Sequence, residues 1–290
     1  MKIIRRSPAK INLVLEVTNK RVDGYHSLRT VILKLENIFD EVVVEINPDG
    51  TGIKVDSDSE AIPKDGNNTC YKTAQNFLRV INQKVGLNIY IKKRIPVAAG
   101  LGGGSSNAAT LLMILNDYFK QPLSQSELAK LAVKIGADVP LFLISKNITY
   151  LKGVGNRVVF KKDWKKRGYF LLINPNLEIS THWAYENLAS TVWFMKKKRM
   201  NISEKLIQKI NQSNTLSWNS LLYNDFELLI EKEYPVVREL KQALKAFGAN
   251  GALMSGAGPT VFGVFDSLVK AKKAERVIKK QYPSFCYLIN

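Results

Sequence analysis

A glycine-rich segment, residues 96–107 with the sequence PVAAGLGGGSSN, has the residue types of a phosphate-binding loop. It follows an alternating stretch over residues 87–94 that predicts a strand, and it leads into residues 108–119, which predict a helix. Glycines let backbone N–H groups approach an anion, and a helix N-terminus adds a partial positive charge. Ser105 and Ser106 would add two hydroxyl donors.

The glycine-rich segment has one simpler interpretation, a flexible connector. It also lacks the Gly-Lys-Ser/Thr sequence of a Walker A loop. Linkers, however, rarely run directly into an Asn-Ala-Ala helix start. The pattern therefore favours a phosphate site of another type.

Two segments near the N-terminus carry side chains that could contact a substrate. Lys10 and Asn12 lie two residues apart in an apolar stretch, so a strand would place both on one face. Lys10 is either a cleft lysine or one that extends its charged end to solvent. Tyr25 and His26 follow an Asp-Gly turn, which would present a phenol and an imidazole together, for binding or incidentally.

Two later segments have similar ambiguity. Asp138, in the sequence GADVP, lies between the predicted end of a helix and an apolar run. It is either an ordinary helix cap or a carboxylate held at the floor of a cleft. Residues 255–260, SGAGPT, form a turn of small residues after a predicted strand. One interpretation is that this turn contacts the phosphates or the substrate. The other is that it is a tight turn without a binding role, since any tight turn uses small residues.

Length and composition restrict the class of protein. The 290 residues allow one large or two ordinary domains, and 46% hydrophobic residues can build a sizeable core. No apolar run approaches the ~20 residues of a membrane span, and Lys10, Asn12 and Glu16 interrupt any signal-peptide core. Cys70 and Cys286 do not have metal-ligand spacing. A soluble cytoplasmic protein with free thiols is expected.

The chain is strongly basic, with a formal net charge of +18. Two runs, residues 161–167 and 196–199, supply eight of the twelve excess positive charges of residues 151–290. Such an excess suits anionic ligands or nucleic acid. Because the excess is local, two solvated loops are the favoured interpretation.

Hydrophobic periodicity predicts strands in the N-terminal 50 residues and mostly helices after residue 180. A helix over residues 69–85 is capped by Asn67 or Asn68 and ended by Gly86, and a capping box at residues 124–127 opens a helix that ends at Gly136. The predicted strands are residues 2–6, 9–17, 28–38, 41–46, 148–151, 157–160, 169–174, 252–255, 260–265 and 285–289. The other predicted helices are residues 181–189, 203–210, 219–232, 235–247 and 268–280.

Taken in order, the motifs PAKINL, DGYH, GLGGGSSNAA, GADVP and SGAGPT resemble the GHMP kinase superfamily. Within it, DGYH together with GLGGGSSNAA is similar to the 4-diphosphocytidyl-2-C-methyl-D-erythritol kinases of the non-mevalonate isoprenoid pathway. The resemblance covers essentially the whole chain. It implies an α+β fold of two domains: a ribosomal protein S5 domain 2-like domain at residues 1–155 and a ferredoxin-like α/β sandwich at residues 156–290.

The resemblance also implies a reaction, transfer of the ATP γ-phosphate to the 2-hydroxyl of the cytidine diphosphate-linked sugar alcohol. Asp138 resembles the catalytic base and Lys10 its partner. Mg²⁺ is expected with ATP, although no residue of this chain is assigned as its ligand. Neither a membrane nor a specific nucleic acid is expected as a partner, and no oligomeric state is predicted.

Further residues receive binding roles from the same resemblance. For cytidine these are Tyr25, His26 and Tyr185, with Tyr185 as the other aromatic ring of a sandwich around the cytosine. For the diphosphate and erythritol ends they are Asn12, Lys93 and Thr181. For ATP they are Pro96, Val97, Ala98, Ala99, Gly100, Leu101, Gly102, Gly103, Gly104, Ser105, Ser106 and Asn107.

The chain departs from the family pattern at a few positions, and two rival functions follow from other features. Ser7 stands where alanine is expected, and Ala98 and Ala99 stand where the family often has glycine. A homoserine or mevalonate kinase would not need the rings of Tyr25 and Tyr185. A basic nucleic-acid-binding protein on an S5-like fold would explain the charge, but not Asp138 or the glycine-rich segment.

Overall fold

The computed structural model describes residues 1–165, 168–192, 201–212, 216–281 and 285–289. These residues fall into two compact units that alternate along the chain. Unit 1 consists of Met1–Lys10, Lys34–Val97 and Gly102–Ser145, and unit 2 of Ile11–Leu33, Ala98–Leu101 and Lys146–Asn290.

Two long strands, β1 (Lys2–Lys20) and β2 (His26–Asn47), each contribute one end to each unit. The sequence predicted a break in each strand, but both are continuous. The predicted domain boundary after residue 155 remains a prediction, and it falls inside unit 2 between two paired strands.

Unit 1 places helices against a sheet. The second half of β2 pairs antiparallel with β4 (Gly86–Lys92), and β3 (Ile53–Ser57) pairs parallel with β4. Valine and isoleucine alternate on these strands, which buries one face of the sheet. The helices of this unit are α1 (Thr69–Val80), α2 (Gly103–Tyr118), α3 (Gln125–Ile135) and α4 (Val139–Phe142).

Unit 2 contains two groups of strands. The first half of β2 pairs antiparallel with β5 (Ile148–Gly153), β5 pairs with β6 (Arg157–Lys162), and β8 (Tyr223–Asn224) runs parallel to β1. Among the described residues, a four-stranded antiparallel sheet has the order β11–β7–β10–β9. Its strands are β7 (Tyr169–Asn174), β9 (Gly251–Met254), β10 (Val261–Phe265) and β11 (Phe285–Ile289).

Helices cover this four-stranded sheet and form the core with it. They are α5 (Thr181–Val192), α7 (Trp218–Leu221), α8 (Glu227–Glu233), α9 (Pro235–Ala246) and α10 (Leu268–Gln281). Helix α6 (Ile202–Gln212) instead begins beside β1, where Ile202 N and Ser203 N donate to the carboxylate of Glu16. Leu240, Phe265 and Ile278 lie fully buried in the common cluster. Strands and helices thus occur in both units, as the predicted α+β fold requires. No helix within the described ranges is long and apolar enough to cross a bilayer.

Local signals located several helix ends correctly. The side chain of Asn68 accepts a hydrogen bond from Cys70 N and caps α1. The capping box of Ser124 and Glu127 is present at the start of α3, and Gly136 ends that helix. These predictions are confirmed because each depends on side chains within one turn of the helix end.

Other boundaries were predicted wrongly. Helix α1 ends at Val80 rather than residue 85, because Asn82 adopts a positive φ of 51° that a helix does not allow. Gly86, the predicted end of the helix, is the first residue of β4. Helix α2 begins at Gly103, five residues before the predicted start, so the last five residues of the glycine-rich segment are helical. The predicted helix over residues 219–232 is α7, β8 and α8, and strand β3 was not predicted.

Candidate active site

In unit 1, Lys10 and Asp138 form an ion pair. Lys10 Nζ, on β1, lies 3.6 Å from Asp138 Oδ2, and the lysine side chain is 5% exposed whereas the carboxylate is 43% exposed. Asp138 holds the N-cap position of α4, but its side chain makes no capping hydrogen bond to any described residue. Asp138 therefore occupies a cap position, but its side chain does not cap α4. A buried ammonium therefore faces a carboxylate that a ligand can reach from solvent.

Gly102, in the glycine-rich segment, packs against the side chain of Lys10. Its φ is +70°, and a Cβ built there would lie 3.0 Å from both Lys10 Cγ and Phe142 Cζ. A larger residue would be strained by the backbone conformation and by these contacts. Gly102 is also the N-cap of α2 and has no side chain to cap it, so the first N–H groups of α2 can bind an anion.

The two serines of the segment differ in their surroundings. Ser106 is fully buried, and its Oγ accepts a hydrogen bond from Ser7 Oγ at 2.8 Å. Ser105 is partly exposed at the start of α2. Asn107 is buried, and its Oδ1 makes no hydrogen bond within the described part of the chain. Ser105 is therefore the serine of the two whose hydroxyl can reach a ligand.

Lys93, expected to contact the substrate, lies at the N-terminus of α2. Its Nζ is 2.6 Å from Asp40 Oδ2, and a Cβ at Gly103 would lie 3.0 Å from the same nitrogen. Asp40, on β2, is 0% exposed. Sequence reasoning missed this carboxylate, although an aspartate within a β-branched stretch was an available signal.

In unit 2, the turn at residues 255–260 contacts the glycine-rich segment. Ser255 Oγ donates to Gly100 O at 3.1 Å and accepts from Asn12 N at 3.2 Å. A Cβ at Gly100 would lie only 2.2 Å from Ser255 O, and the φ of Gly100 is +73°. Asn224 Nδ2 holds this turn by donating to Met254 O and Gly256 O, each at 2.8 Å. The turn thus fixes residues 98–101 through backbone contacts.

Asn12 and the aromatic residues also belong to unit 2. Asn12 Nδ2 donates to Thr30 Oγ1 at 2.8 Å. The rings of His26 and Tyr185 stack with their centroids 5.2 Å apart, and Tyr25 is 64% exposed. No base fits between rings at that distance, because stacked rings are already in contact there. Thr181 is exposed at the first position of α5.

The basic runs are only partly described. Residues 161–165 lie on β6 and just after it, and Asp163 there pairs with Lys146 at 2.5 Å. Residues 166–167 and the whole run 196–199 lie outside the described residues. Within the described ranges, no cluster of three or more histidine, cysteine, aspartate or glutamate side chains could hold a metal ion.

Comparisons with known proteins point to one enzyme family. The family model for the GHMP kinases N terminal domain matches residues 68–146, and that for the GHMP kinases C terminal matches residues 201–284. A relative from Clostridium botulinum, called 4-diphosphocytidyl-2-C-methyl-D-erythritol kinase, is 38% identical over 97% of each chain. A kinase of the same name from Syntrophus aciditrophicus is 39% identical over 94% of each chain.

A solved structure of 4-(cytidine 5'-diphospho)-2C-methyl-D-erythritol kinase is also similar to this chain. It matches with a TM-score of 0.76 and 28% sequence identity, and the match covers 99% of this chain and 98% of that one. The likeness therefore extends over both compact units, and the predicted α+β, two-domain GHMP kinase architecture is confirmed.

Proposed function

Because the chain belongs to the 4-diphosphocytidyl-2-C-methyl-D-erythritol kinase family of the GHMP kinases, we propose that Lys10, Asp138 and the N-terminus of α2 carry out its phosphoryl transfer. The chain is an ATP-dependent small-molecule kinase. It transfers the γ-phosphate of ATP to the 2-hydroxyl of 4-diphosphocytidyl-2-C-methyl-D-erythritol. The observation that carries the site assignment is the 3.6 Å ion pair beneath Gly102.

The chemistry assigned to these residues follows from their charges. The acceptor hydroxyl is tertiary and a poor nucleophile, so Asp138 accepts or orients its proton. Lys10 stabilises the carboxylate and the charge that develops on the alkoxide. The first N–H groups of α2 and the Ser105 hydroxyl stabilise the transferring phosphoryl group. Positioning and electrostatics supply most of the catalysis in such reactions.

Mg²⁺ is part of this proposal, and the donor set of the described residues is compatible with it. Mg²⁺ usually keeps several waters and binds substrate phosphates with one or two carboxylates, so it does not need a dedicated cluster of protein ligands. The phosphates of ATP and waters would therefore supply most of its ligands. When bound, the ion would neutralise charge on the phosphate oxygens.

Recognition of the cytidine group is assigned to Tyr25, His26 and Tyr185. Stacking on a ring contributes about 1–3 kcal/mol per base but accepts any base. Edge contacts from His26 would therefore select cytosine, while Tyr25 and Tyr185 provide apolar ring faces. The rest of the substrate is assigned to Asn12, Lys93 and Thr181. The hydrogen bond from Asn12 Nδ2 to Thr30 Oγ1 fixes the side chain of Asn12 for this role.

We place the reaction in the cytoplasm, as predicted from the sequence. Cys70 and Cys286 are both free thiols, which agrees with a reducing compartment. Burial raises the pKa of each thiol to about 12, so neither is a reactive nucleophile. No specific nucleic acid is proposed as a partner.

A coupled assay of ADP release tests the proposed function directly. The purified protein is supplied with Mg²⁺-ATP and one of three acceptors: the diphosphocytidyl substrate, mevalonate or homoserine. We expect ADP release only with the first acceptor. Faster release with mevalonate or homoserine would contradict the assignment of Tyr25 and Tyr185 to a cytidine site.

A further inference from the structure

A buried carboxylate that the proposed chemistry does not use lies below the start of α2. Asp40 Oδ2 is 2.6 Å from Lys93 Nζ, and Oδ1 accepts from Arg94 N at 2.7 Å and from Ile95 N at 2.8 Å. The aspartate is 0% exposed and the lysine side chain 9% exposed. Replacing such a pair by apolar residues is often neutral or stabilising, so stability alone explains this pair poorly.

Two of the three residues that Asp40 holds, Lys93 and Ile95, support the first residue of α2. A Cβ at Gly103 would lie 3.0 Å from Lys93 Nζ and 3.2 Å from Ile95 Cγ2, so the helix start lies directly on both side chains. A cation at a helix N-terminus is repelled by the helix dipole. The Asp40 carboxylate offsets that repulsion and keeps the ammonium beneath Gly103.

We propose that Asp40 is a positioning residue for phosphate binding. It acts through Lys93 and Ile95, which fix the height and direction of the first N–H groups of α2. Asp40 itself is buried and does not touch the nucleotide. The inference rests on the proposed function, in which those N–H groups receive the phosphates of ATP.

The test measures binding of a non-hydrolysable ATP analogue with Mg²⁺ by calorimetry. Asp40→Asn keeps an oxygen for Arg94 N and Ile95 N but removes the charge opposite Lys93. Because small displacements of positioning groups cost large factors, the dissociation constant should rise about 10-fold or more. At saturating ATP, kcat should also fall, by about 10-fold, since the same N–H groups stabilise the transferring phosphoryl group.

Asp58 offers a matched control on the same segment. Its carboxylate accepts from Lys93 N at 2.7 Å and from Arg94 Nη1 at 3.0 Å, and its side chain is 31% exposed. Asp58→Asn should change the dissociation constant by less than about 2-fold, because exposed pairs are weak. An equal weakening in Asp40→Asn and Asp58→Asn would overturn the proposal.

A double-mutant cycle separates positioning from general stability. If Asp40 acts through Lys93, Asp40→Asn combined with Lys93→Met should bind the analogue no more weakly than Lys93→Met alone. Additive losses would contradict the proposal, as would a lowered Tm of Asp40→Asn with unchanged binding. If Asp40→Asn does not fold, the double variant, which removes both buried charges, is still compared with Lys93→Met.

The binding experiment also separates failure of the role proposed for Asp40 from failure of the proposed function. Analogue binding needs no acceptor, so a wild-type protein that binds the analogue but does not use the cytidine substrate would contradict only the proposed acceptor. A wild-type protein that does not bind the analogue would overturn the phosphate site, and the role of Asp40 with it.

Discussion

The region around Lys10 in unit 1 and the aromatic region around Tyr185 in unit 2 are built in different ways. In the first, buried contacts fix the functional groups. Gly102 packs against the aliphatic part of the Lys10 side chain, and Ser106 Oγ accepts a hydrogen bond from Ser7 Oγ. In the second, Tyr25 is 64% exposed in a turn, and its backbone N donates to Asp23 of the same turn.

The difference follows from what each region is proposed to do. Phosphoryl transfer depends on placing charges within a fraction of an ångström, so those charges require rigid support. Stacking on a base is tolerant of small displacements and contributes energy through contact area. Substitutions in the first region should therefore reduce kcat, and substitutions in the second should mainly raise KM for the acceptor.

The largest effect is expected for Asp138→Asn. Asparagine keeps the shape of the side chain but cannot accept the proton of the acceptor hydroxyl. We expect kcat to fall about 10²–10⁴-fold, the usual contribution of a positioned general base. ATP affinity should hardly change. The measurement is steady-state ADP release at saturating ATP and acceptor, with ATP-analogue binding measured in parallel.

Asp117 provides the control for Asp138. Its side chain is 45% exposed, close to the 43% of Asp138, and it pairs with Arg5 at 2.7 Å in the same unit. Asp117→Asn should leave kcat unchanged within about 2-fold, because a surface ion pair contributes little. Undiminished turnover in Asp138→Asn would refute its assignment as the base.

The second effect is expected for Gly102→Ala. The positive φ and the 3.0 Å contacts with Lys10 and Phe142 should cost about 1–3 kcal/mol of unfolding free energy. Displacement of Lys10 should also lower kcat by about 10–100-fold. Chemical denaturation and the ADP-release assay measure the two quantities separately.

Gly104 is the matched glycine for the stability measurement. It lies in α2, and the nearest atom to its added Cβ is Thr69 Oγ1 at 3.6 Å. Gly104→Ala should stabilise the fold by about 0.5–1 kcal/mol, because alanine is the better helix former. Equal destabilisation by both substitutions would show that the contact with Lys10 is not the cause.

The same contrast between regions explains which features could be predicted from the sequence. Asn68, Ser124 and Gly136 act within one helical turn, and their roles were predicted correctly. The phosphate-binding role of the glycine-rich segment was predicted from residue type and spacing, whereas the role of Asp138 was implied by the family resemblance, and both roles stay predictions. What could not be predicted was the pairing over long sequence separations, since Asp40 meets Lys93 across 53 positions and Ser7 meets Ser106 across 99.

The helix predicted over residues 219–232 is wrong for a related reason. Its apolar spacing suits a helix, but Asn224 is needed to hold the turn at Met254 and Gly256, and Asp225 accepts from Val17 N at 2.5 Å. These tertiary hydrogen bonds require an extended backbone at β8, which overrides a weak local preference. No signal within residues 219–232 reveals those partners.

The third effect concerns the proposed cytidine rings. Tyr25→Ala and Tyr185→Ala should each raise KM for the acceptor by the equivalent of about 1–3 kcal/mol, leaving KM for ATP unchanged. Tyr185 also packs edge-on against Phe226 with centroids 4.8 Å apart, so Tyr185→Ala alone should lower Tm.

Tyr185→Phe separates recognition from stability, because it keeps both ring contacts. It should retain the wild-type Tm and a KM for the acceptor within about 3-fold, since stacking needs the ring and not the hydroxyl. Loss of ATP binding in Tyr25→Ala and Tyr185→Ala would show that the two ligand sites are assigned the wrong way round.

The smallest effect is expected for the basic run at residues 196–199, which lies outside the described residues. The proposed chemistry needs no such run, and surface charges are screened within about 8 Å at physiological salt. Replacing all four basic residues by glutamine should leave kcat intact and change KM for the acceptor by less than about 3-fold. The ADP-release assay at physiological ionic strength measures both quantities.

The glutamine variant should differ from the wild type in a property unrelated to catalysis. Each lysine or arginine that contacts a phosphate releases a counterion, so removing four positive charges should reduce the salt dependence of nonspecific nucleic-acid retention. A salt series on an immobilised-DNA column compares the two proteins. A large fall in kcat would instead place the run in the catalytic machinery, because screened charges in a solvated loop cannot produce that loss.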